Sequence, residues 1–141
     1  MKIIFDATFG ETWVEALKSF YRLHKEPRPR LLHLYDIFNR NVKDDEWING
    51  IAAQECVIVT ADTGRKKPRL PELCKQYRKT HIIFSPTLIN KVDQFQKARA
   101  IVVLWPQIAD TENHPPGSRF QIQATDGTHQ HFKLVKKSSP T

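Results

Sequence analysis

Asp44-Asp45-Glu46-Trp47-Ile48-Asn49-Gly50-Ile51-Ala52-Ala53-Gln54-Glu55-Cys56-Val57-Ile58-Val59-Thr60-Ala61-Asp62 is the stretch whose reading decides the fold. Trp47, Ile48, Ile51 and Ala52 recur at helical spacing, and Asp44 stands where an N-cap belongs. Val57 to Thr60 then form a short β-prone run that stops at an aspartate, Asp62, two residues on. A helix feeding a short apolar strand is the unit from which parallel sheets are built, because the crossover covers one face and keeps a single hand.

The same unit extends in both directions. Toward the N-terminus, Lys2 to Phe5 reads as a first strand ending at Asp6, and Thr8 with Glu11 forms an S/T-x-x-E capping box. The helix expected there carries Trp13, Ala16, Leu17, Phe20 and His24 on one stripe and stops at Pro27 and Pro29. Leu31 to Leu34 is the second strand, closed by Asp36. Toward the C-terminus, Pro71 suits the first turn of a helix running to about Arg78, and Ile82 to Phe84 is a fourth strand ending at Ser85. Thr87 is placed to cap a long helix with Leu88, Val92, Phe95, Arg99 and Val102 on one stripe, kinked or ended by Pro106.

After Pro115-Pro116-Gly117 the pattern becomes a hairpin, with Phe120 to Ile122 and Phe132 to Leu134 flanking Asp126-Gly127. A three-residue loop would pair Ile122 with Phe132 and Phe120 with Leu134. The expected architecture is α/β in three layers: a mostly parallel central sheet flanked by helices, plus a C-terminal β-hairpin. Residues 1–135 are read as a single domain and 136–141 as a polar, flexible tail.

At 141 residues, with 40% hydrophobic and 26% charged residues, the chain has the balance of a globular protein that folds without disulfide or zinc support. The longest apolar run, Ala100 to Trp105, is too short to cross a bilayer, and the opening residues read as strand rather than leader. Cys56 and Cys74 fall in a strand-like run and a helix, which suggests no disulfide framework, so a cytoplasmic location is expected. A net charge of +7 and a pI near 9.6 favour an anionic partner, nucleic acid first.

Asp6 and Asp62 each fall just past a strand, and Asp44 opens the helix leading to the third, so all three can face the carboxyl edge of the sheet, where ligands of such folds bind. Grouped carboxylates repel unless a cation neutralises them, and hard oxygen donors suit Mg²⁺ or Mn²⁺ better than zinc. Each aspartate also has an ordinary role open to it: Asp44 as N-cap, Asp6 at the positive end of a helix, Asp62 in a turn with Gly64. Asp36, Asp45, Glu46 and Glu11 lie near the same segments. Asp44 shares a face with Trp47, Ile48 and Ile51 and leans toward the body, whereas Asp45 projects about 100° around the axis. Asp44 is therefore the second ligand and Asp45 its rival.

Three motifs carry a family resemblance: Ile3-Ile4-Phe5-Asp6, Asp44-Asp45-Glu46-Trp47-Ile48 and Val57-Ile58-Val59-Thr60-Ala61-Asp62. With these the chain resembles PIN-like domains, related to the VapC-type toxin ribonucleases of bacterial toxin-antitoxin pairs, over roughly Met1 to Phe84. The resemblance implies a PIN-like three-layer fold and a Mg²⁺- or Mn²⁺-dependent endoribonuclease leaving a 5′-phosphate. By it, Asp6, Asp44 and Asp62 are the metal-binding acids and Thr60 a supporting hydroxyl. It also implies a cognate antitoxin as partner and admits a homodimer. Many PIN domains carry a fourth acid after the Thr-x-Asp strand; here Thr63, Gly64 and Ser85 occupy that region.

Arg65, Lys66, Lys67 and Arg69 follow Asp62 directly, and Arg40 and Lys43 precede Asp44, which would set phosphate-binding charge beside the acids. The alternative for each is a solvated charged loop. His129 and His131 complete no zinc spacing, Trp13, Trp47 and Trp105 read as core, and neither a Ser-His-Asp set nor a Gly-rich phosphate loop is present. Two other functions compete with the nuclease: a non-catalytic RNA-binding module of the same fold, favoured by the missing fourth acid, and a phospho-acceptor receiver using Asp62. The receiver expects an acidic pair after the first strand, but Asp6 is followed by Ala7.

Overall fold

The computed structural model describes residues 1–61, 70–86, 88, 92–125 and 131–138. The elements run β1 (Lys2–Phe5), α1 (Glu11–Tyr21), β2 (Arg30–His33), a 3₁₀ turn (Leu34–Asp36), α2 (Asp44–Gly50), β3 (Val57–Thr60), α3 (Leu70–Gln76), β4 (Thr80–Phe84), α4 (Gln94–Val103), α5 (Trp105–Asp110), a second 3₁₀ turn (Thr111–Asn113), β5 (Arg119–Ala124) and β6 (Phe132–Ser138). They form one six-stranded sheet in the order β2-β1-β3-β4-β5-β6. All pairs are parallel except β5 with β6, which is antiparallel. The expected three-layer α/β architecture with a C-terminal hairpin is therefore the one observed.

Strand alternation sorts the side chains into two cores. Ile3, Phe5, Val57, Val59, Ile82, Phe84, Phe120 and Ile122 face α1, α4 and α5. Ile4 and Ile58 point the other way, onto Trp47, Ile48 and Ile51 from the α2 region and Leu70, Leu73 and Cys74 from α3. A sheet covered on both faces needs such unbroken apolar strands. Each fully buried Ile or Phe contributes roughly 1.5–3 kcal/mol relative to exposure. A surface ion pair gives about 0–1 kcal/mol, so packing holds the layers together.

Several local expectations are corrected. Thr8 does not cap α1: the N-cap is Gly10, with no side-chain hydrogen bond, because the Thr8 hydroxyl is engaged elsewhere. The buried stripe of α1 is Val14, Leu17 and Tyr21, one position on from the expected one, which leaves Ala16 and Phe20 exposed and Trp13 at the border. Trp13 stacks on Phe9 and its indole N–H donates to the Gln94 carbonyl at 2.8 Å. The long helix is shorter than expected. Asp93 caps α4 by accepting from the Gln96 amide at 2.8 Å, Phe95 is exposed, and Lys97, Ala100 and Ile101 turn inward. Pro106 sits in the first turn of α5, where its missing N–H costs nothing. Thr87 lies outside the described residues.

The hairpin register also differs. Ile122 pairs with Leu134 and Ala124 with Phe132, two residues from the expected alignment. A shift of two preserves face parity, so Phe120, Ile122 and Phe132 are buried all the same. The connection runs from Thr125, whose amide donates to the His131 carbonyl at 2.9 Å, and is longer than the expected tight loop. Asp126, Gly127 and His129 lie outside the described residues, and His131 is exposed just before β6. β6 continues through Lys136 and Lys137 to Ser138, into the segment expected to be a tail.

Candidate functional site at the carboxyl edge

The sheet reverses its direction of growth at β1, which has β2 on one side and β3 on the other. In a parallel sheet such a switch point opens a crevice at the carboxyl ends of the two strands. Asp6 follows β1 there and Thr60 ends β3, with the Asp6 amide donating to the Val59 carbonyl at 3.2 Å to extend the ladder by one bond.

Asp6 is only 4% exposed. Its Oδ2 accepts from the Thr60 hydroxyl at 2.5 Å, and its Oδ1 accepts from the Thr8 amide at 3.1 Å and from the Thr8 hydroxyl. The Thr8 hydroxyl in turn accepts from the Ala61 amide at 2.9 Å, tying the turn after β1 to the end of β3. Among the described residues no Lys, Arg or His pairs with this carboxylate. Burial therefore raises its pKa to about 6, against the opposing pull of the Thr60 and Thr8 hydrogen bonds, and the charge of Asp44 adds to the rise.

Asp44 opens α2, half-buried, and its Oδ1 accepts from the Trp47 indole N–H at 3.0 Å. Trp47 is fully buried, so this bond fixes the carboxylate one turn above the core. Asp45 and Glu46 are exposed, with Asp45 accepting from the Glu46 amide. Asp36 is used otherwise. It accepts from the His33 amide at 2.8 Å and from Lys18 Nζ at 2.7 Å, and although partial burial pushes its carboxyl upward, these partners hold it below the usual range. Glu11 pairs with Arg40, whose guanidinium also lies 5.3 Å over the Tyr35 ring. Lys43 is exposed just ahead of α2. Asp62, Arg65, Lys66, Lys67 and Arg69 lie outside the described residues, and among those described no three His, Cys, Asp or Glu side chains group as a metal set.

Two contributors escaped the sequence reading. Thr8 was assigned to a helix cap, yet an Asp followed two residues later by Thr is also the pattern of an Asx-type turn, which is how it is used. His33 is 2% exposed and locks the turn after β1 to β2, with Nε2 2.8 Å from the Phe9 carbonyl and Nδ1 accepting from the Tyr35 amide at 3.0 Å. That pair of contacts assigns the ring proton to Nε2. No sequence pattern marks this bond, because its partner is a backbone carbonyl 24 residues away.

The donor set is oxygen throughout: the carboxylates of Asp6 and Asp44 and the hydroxyl of Thr60. A buried carboxylate that feels the charge of a second one, with no cation paired to it among the described residues, matches the demand of a hard divalent ion. An α/β sheet with an acidic site at its switch point is the class that fold and site define. The PIN like domain family matches residues 1–75, more than half of the chain, and the chain belongs to that family. No curated protein and no solved structure matches it significantly. PIN domains are generally nucleases, so the chain is a module of nuclease type. Among the described residues no helix is long and apolar enough to cross a membrane.

Proposed function

We propose that the chain is a metal-dependent endoribonuclease whose site is the carboxyl edge around Asp6. The observation that carries this reading is Asp6 itself: a carboxylate held almost wholly out of water, bonded by two threonine hydroxyls and within reach of the Asp44 charge, with no cation among the described residues to balance it. Asp6, Asp44 and Asp62 would hold Mg²⁺ or Mn²⁺, which when bound supplies charge neutralisation for an attacking water and a phosphodiester. Thr60 and Thr8 orient both oxygens of Asp6 and favour its ionised form. Trp47 orients one oxygen of Asp44. The net charge of +7 favours an RNA substrate, with Lys43 and the loop of Arg65, Lys66, Lys67 and Arg69 offered to its phosphates. Arg40 contributes less, since Glu11 already balances it. In the cell this activity fits the toxin of a toxin-antitoxin pair, silenced by a cognate antitoxin.

A second reading, an RNA-binding module without catalysis, is favoured by Ser85. It stands where a further acid would follow β4, and its hydroxyl accepts from the Leu88 amide at 3.3 Å. One experiment separates the two. Given Mg²⁺ or Mn²⁺ and a range of single-stranded and structured RNAs, the protein should cut, and Asp6→Asn or Asp62→Asn should stop cutting while RNA binding persists. Binding without cleavage by the unaltered protein would leave the second reading standing. Charge reversal at Arg65, Lys66 and Lys67 should weaken binding and flatten its salt dependence.

A further inference from the structure

On β4 the alternation that sends Ile82 and Phe84 into one core turns His81 to the opposite face, where it pairs in register with Arg119 on β5. His81 is 2% exposed, yet among the described residues neither ring nitrogen has a hydrogen-bond partner, and Arg119 Nε, also buried, has none. Both line a cleft of about 190 Å³ walled by Pro71, Glu72 and Lys75 of α3, by Gly117 and by Ser138 at the end of β6. Unpaired buried polar atoms are costly, so something from solvent must satisfy these. The volume corresponds to roughly six waters' share of liquid, more than one bridging water needs.

We propose that this cleft, at the amino edge of the sheet and independent of the acidic edge, binds a phosphoryl oxyanion. Its lining is rich in donors and poor in acceptors. Among the described residues Arg119 and Lys75 bring two cations against one carboxylate, that of Glu72, which suits an acceptor-rich, negative occupant. Burial, reinforced by the Arg119 charge, lowers the pKa of His81 to about 4, while the Lys79 carbonyl opposes this from a position that forms no well-aligned hydrogen bond. The neutral imidazole thus keeps one N–H to donate, and with Arg119 Nε it gives the cleft two unpartnered donors, which suit two oxygens of one phosphoryl group. Gly117, at φ 93°, takes a backbone conformation that a side chain would strain, which shapes the approach to β5.

The test is a nuclear magnetic resonance titration of the full chain, following the His81 ring and the Arg119 Nε–H. Inorganic phosphate should shift both saturably, beyond chloride at equal ionic strength. Arg119→Gln should weaken this by about tenfold or more, as expected for a lost charge-assisted donor. Lys75→Gln, on the exposed side of α3, should weaken it about two- to fivefold without disturbing the fold, and so decides the matter should Arg119→Gln misfold. A single-stranded oligoribonucleotide that shifts His81 where inorganic phosphate does not would identify the oxyanion as a nucleic-acid backbone phosphate. Shifts matched by chloride, or affinity unchanged in Lys75→Gln and in any folded Arg119→Gln, would overturn the proposal. None of these outcomes depends on whether the carboxyl edge cleaves RNA.

Discussion

The two edges of the sheet bury a titratable group each, and in neither case does a described residue supply the counter-charge. At the carboxyl edge, burial pushes Asp6 up to about 6; at the amino edge, the same cause drives His81 down to about 4. Desolvation favours whichever form is neutral, so an acid and a base respond in opposite directions. What the comparison teaches is that complementarity to ligand can be read from what burial leaves unbalanced. Asp6 has hydroxyl and amide donors but, among the described residues, no cation, and it feels the charge of Asp44. The ring nitrogens of His81 have no hydrogen-bond partner among the described residues, and the ring lies in register with a guanidinium. On the two proposals, one edge would take a positive ligand and the other a negative one.

The largest expected effect tests the acidic edge alone. Asp6→Asn should reduce divalent-dependent RNA cleavage by about 100-fold or more, measured in single-turnover assays, because it removes charge where the proposed cation would be held. Asp36→Asn, a carboxylate after the neighbouring strand, should leave cleavage within about twofold. Equal losses would mean that the edge is read as a general acidic field and not through Asp6.

Stability against pH, measured by urea denaturation in metal-free buffer, should sharpen the contrast. Asp6 binds its proton more tightly folded than unfolded, so its contribution is full below pH 3.8 and is lost as pH rises through about 6. His81 is the mirror case: its contribution is present above 6.5 and lost as pH falls through about 4. Each is worth up to about 3 kcal/mol, with opposite slopes between pH 4 and 6 that largely cancel in the unaltered chain. Asp6→Asn should expose a rising limb and His81→Gln a falling one. Parallel curves for the two variants would show that the two groups do not titrate oppositely.

Thr60→Val removes a hydroxyl that favours ionised Asp6. Cleavage should fall about tenfold and the acid limb of its pH profile should move to higher pH, since the lost bond lowered the Asp6 pKa. An unmoved profile would assign Thr60 to packing. The smallest effect is Asp36→Asn on stability, about 1 kcal/mol or less, because its Lys18 partner is partly exposed.

The sheet and the position of Asp6 were legible in the sequence because apolar strands ending in an aspartate record both burial and the edge at which it stops. The inward lean of Asp44 followed from helical spacing, and Trp47 anchors it as that spacing implies. What escaped was contact that no period encodes. Thr8 satisfied a capping pattern and a turn pattern equally well, and only the nearness of Ala61 decides between them. The α1 stripe was misplaced by one position because aromatic residues stand at both borders of the buried face. The hairpin register slipped by two because parity fixes which side chains face inward and leaves open which pairs meet. His81 stands one residue ahead of the expected strand Ile82 to Phe84 and drew no reading of its own; only its burial in register with Arg119 makes it conspicuous.

The antiparallel turn of β6 has a practical bearing. A parallel last strand would have delivered the chain to the acidic edge, but β6 runs back and brings Ser138 to the rim of the His81 cleft. Any handle fused beyond Ser138 therefore departs from the amino edge. Surface immobilisation through such a handle leaves the carboxyl edge around Asp6 and Asp44 unobstructed while crowding His81 and Arg119, so a tethered protein would report faithfully on one edge and poorly on the other.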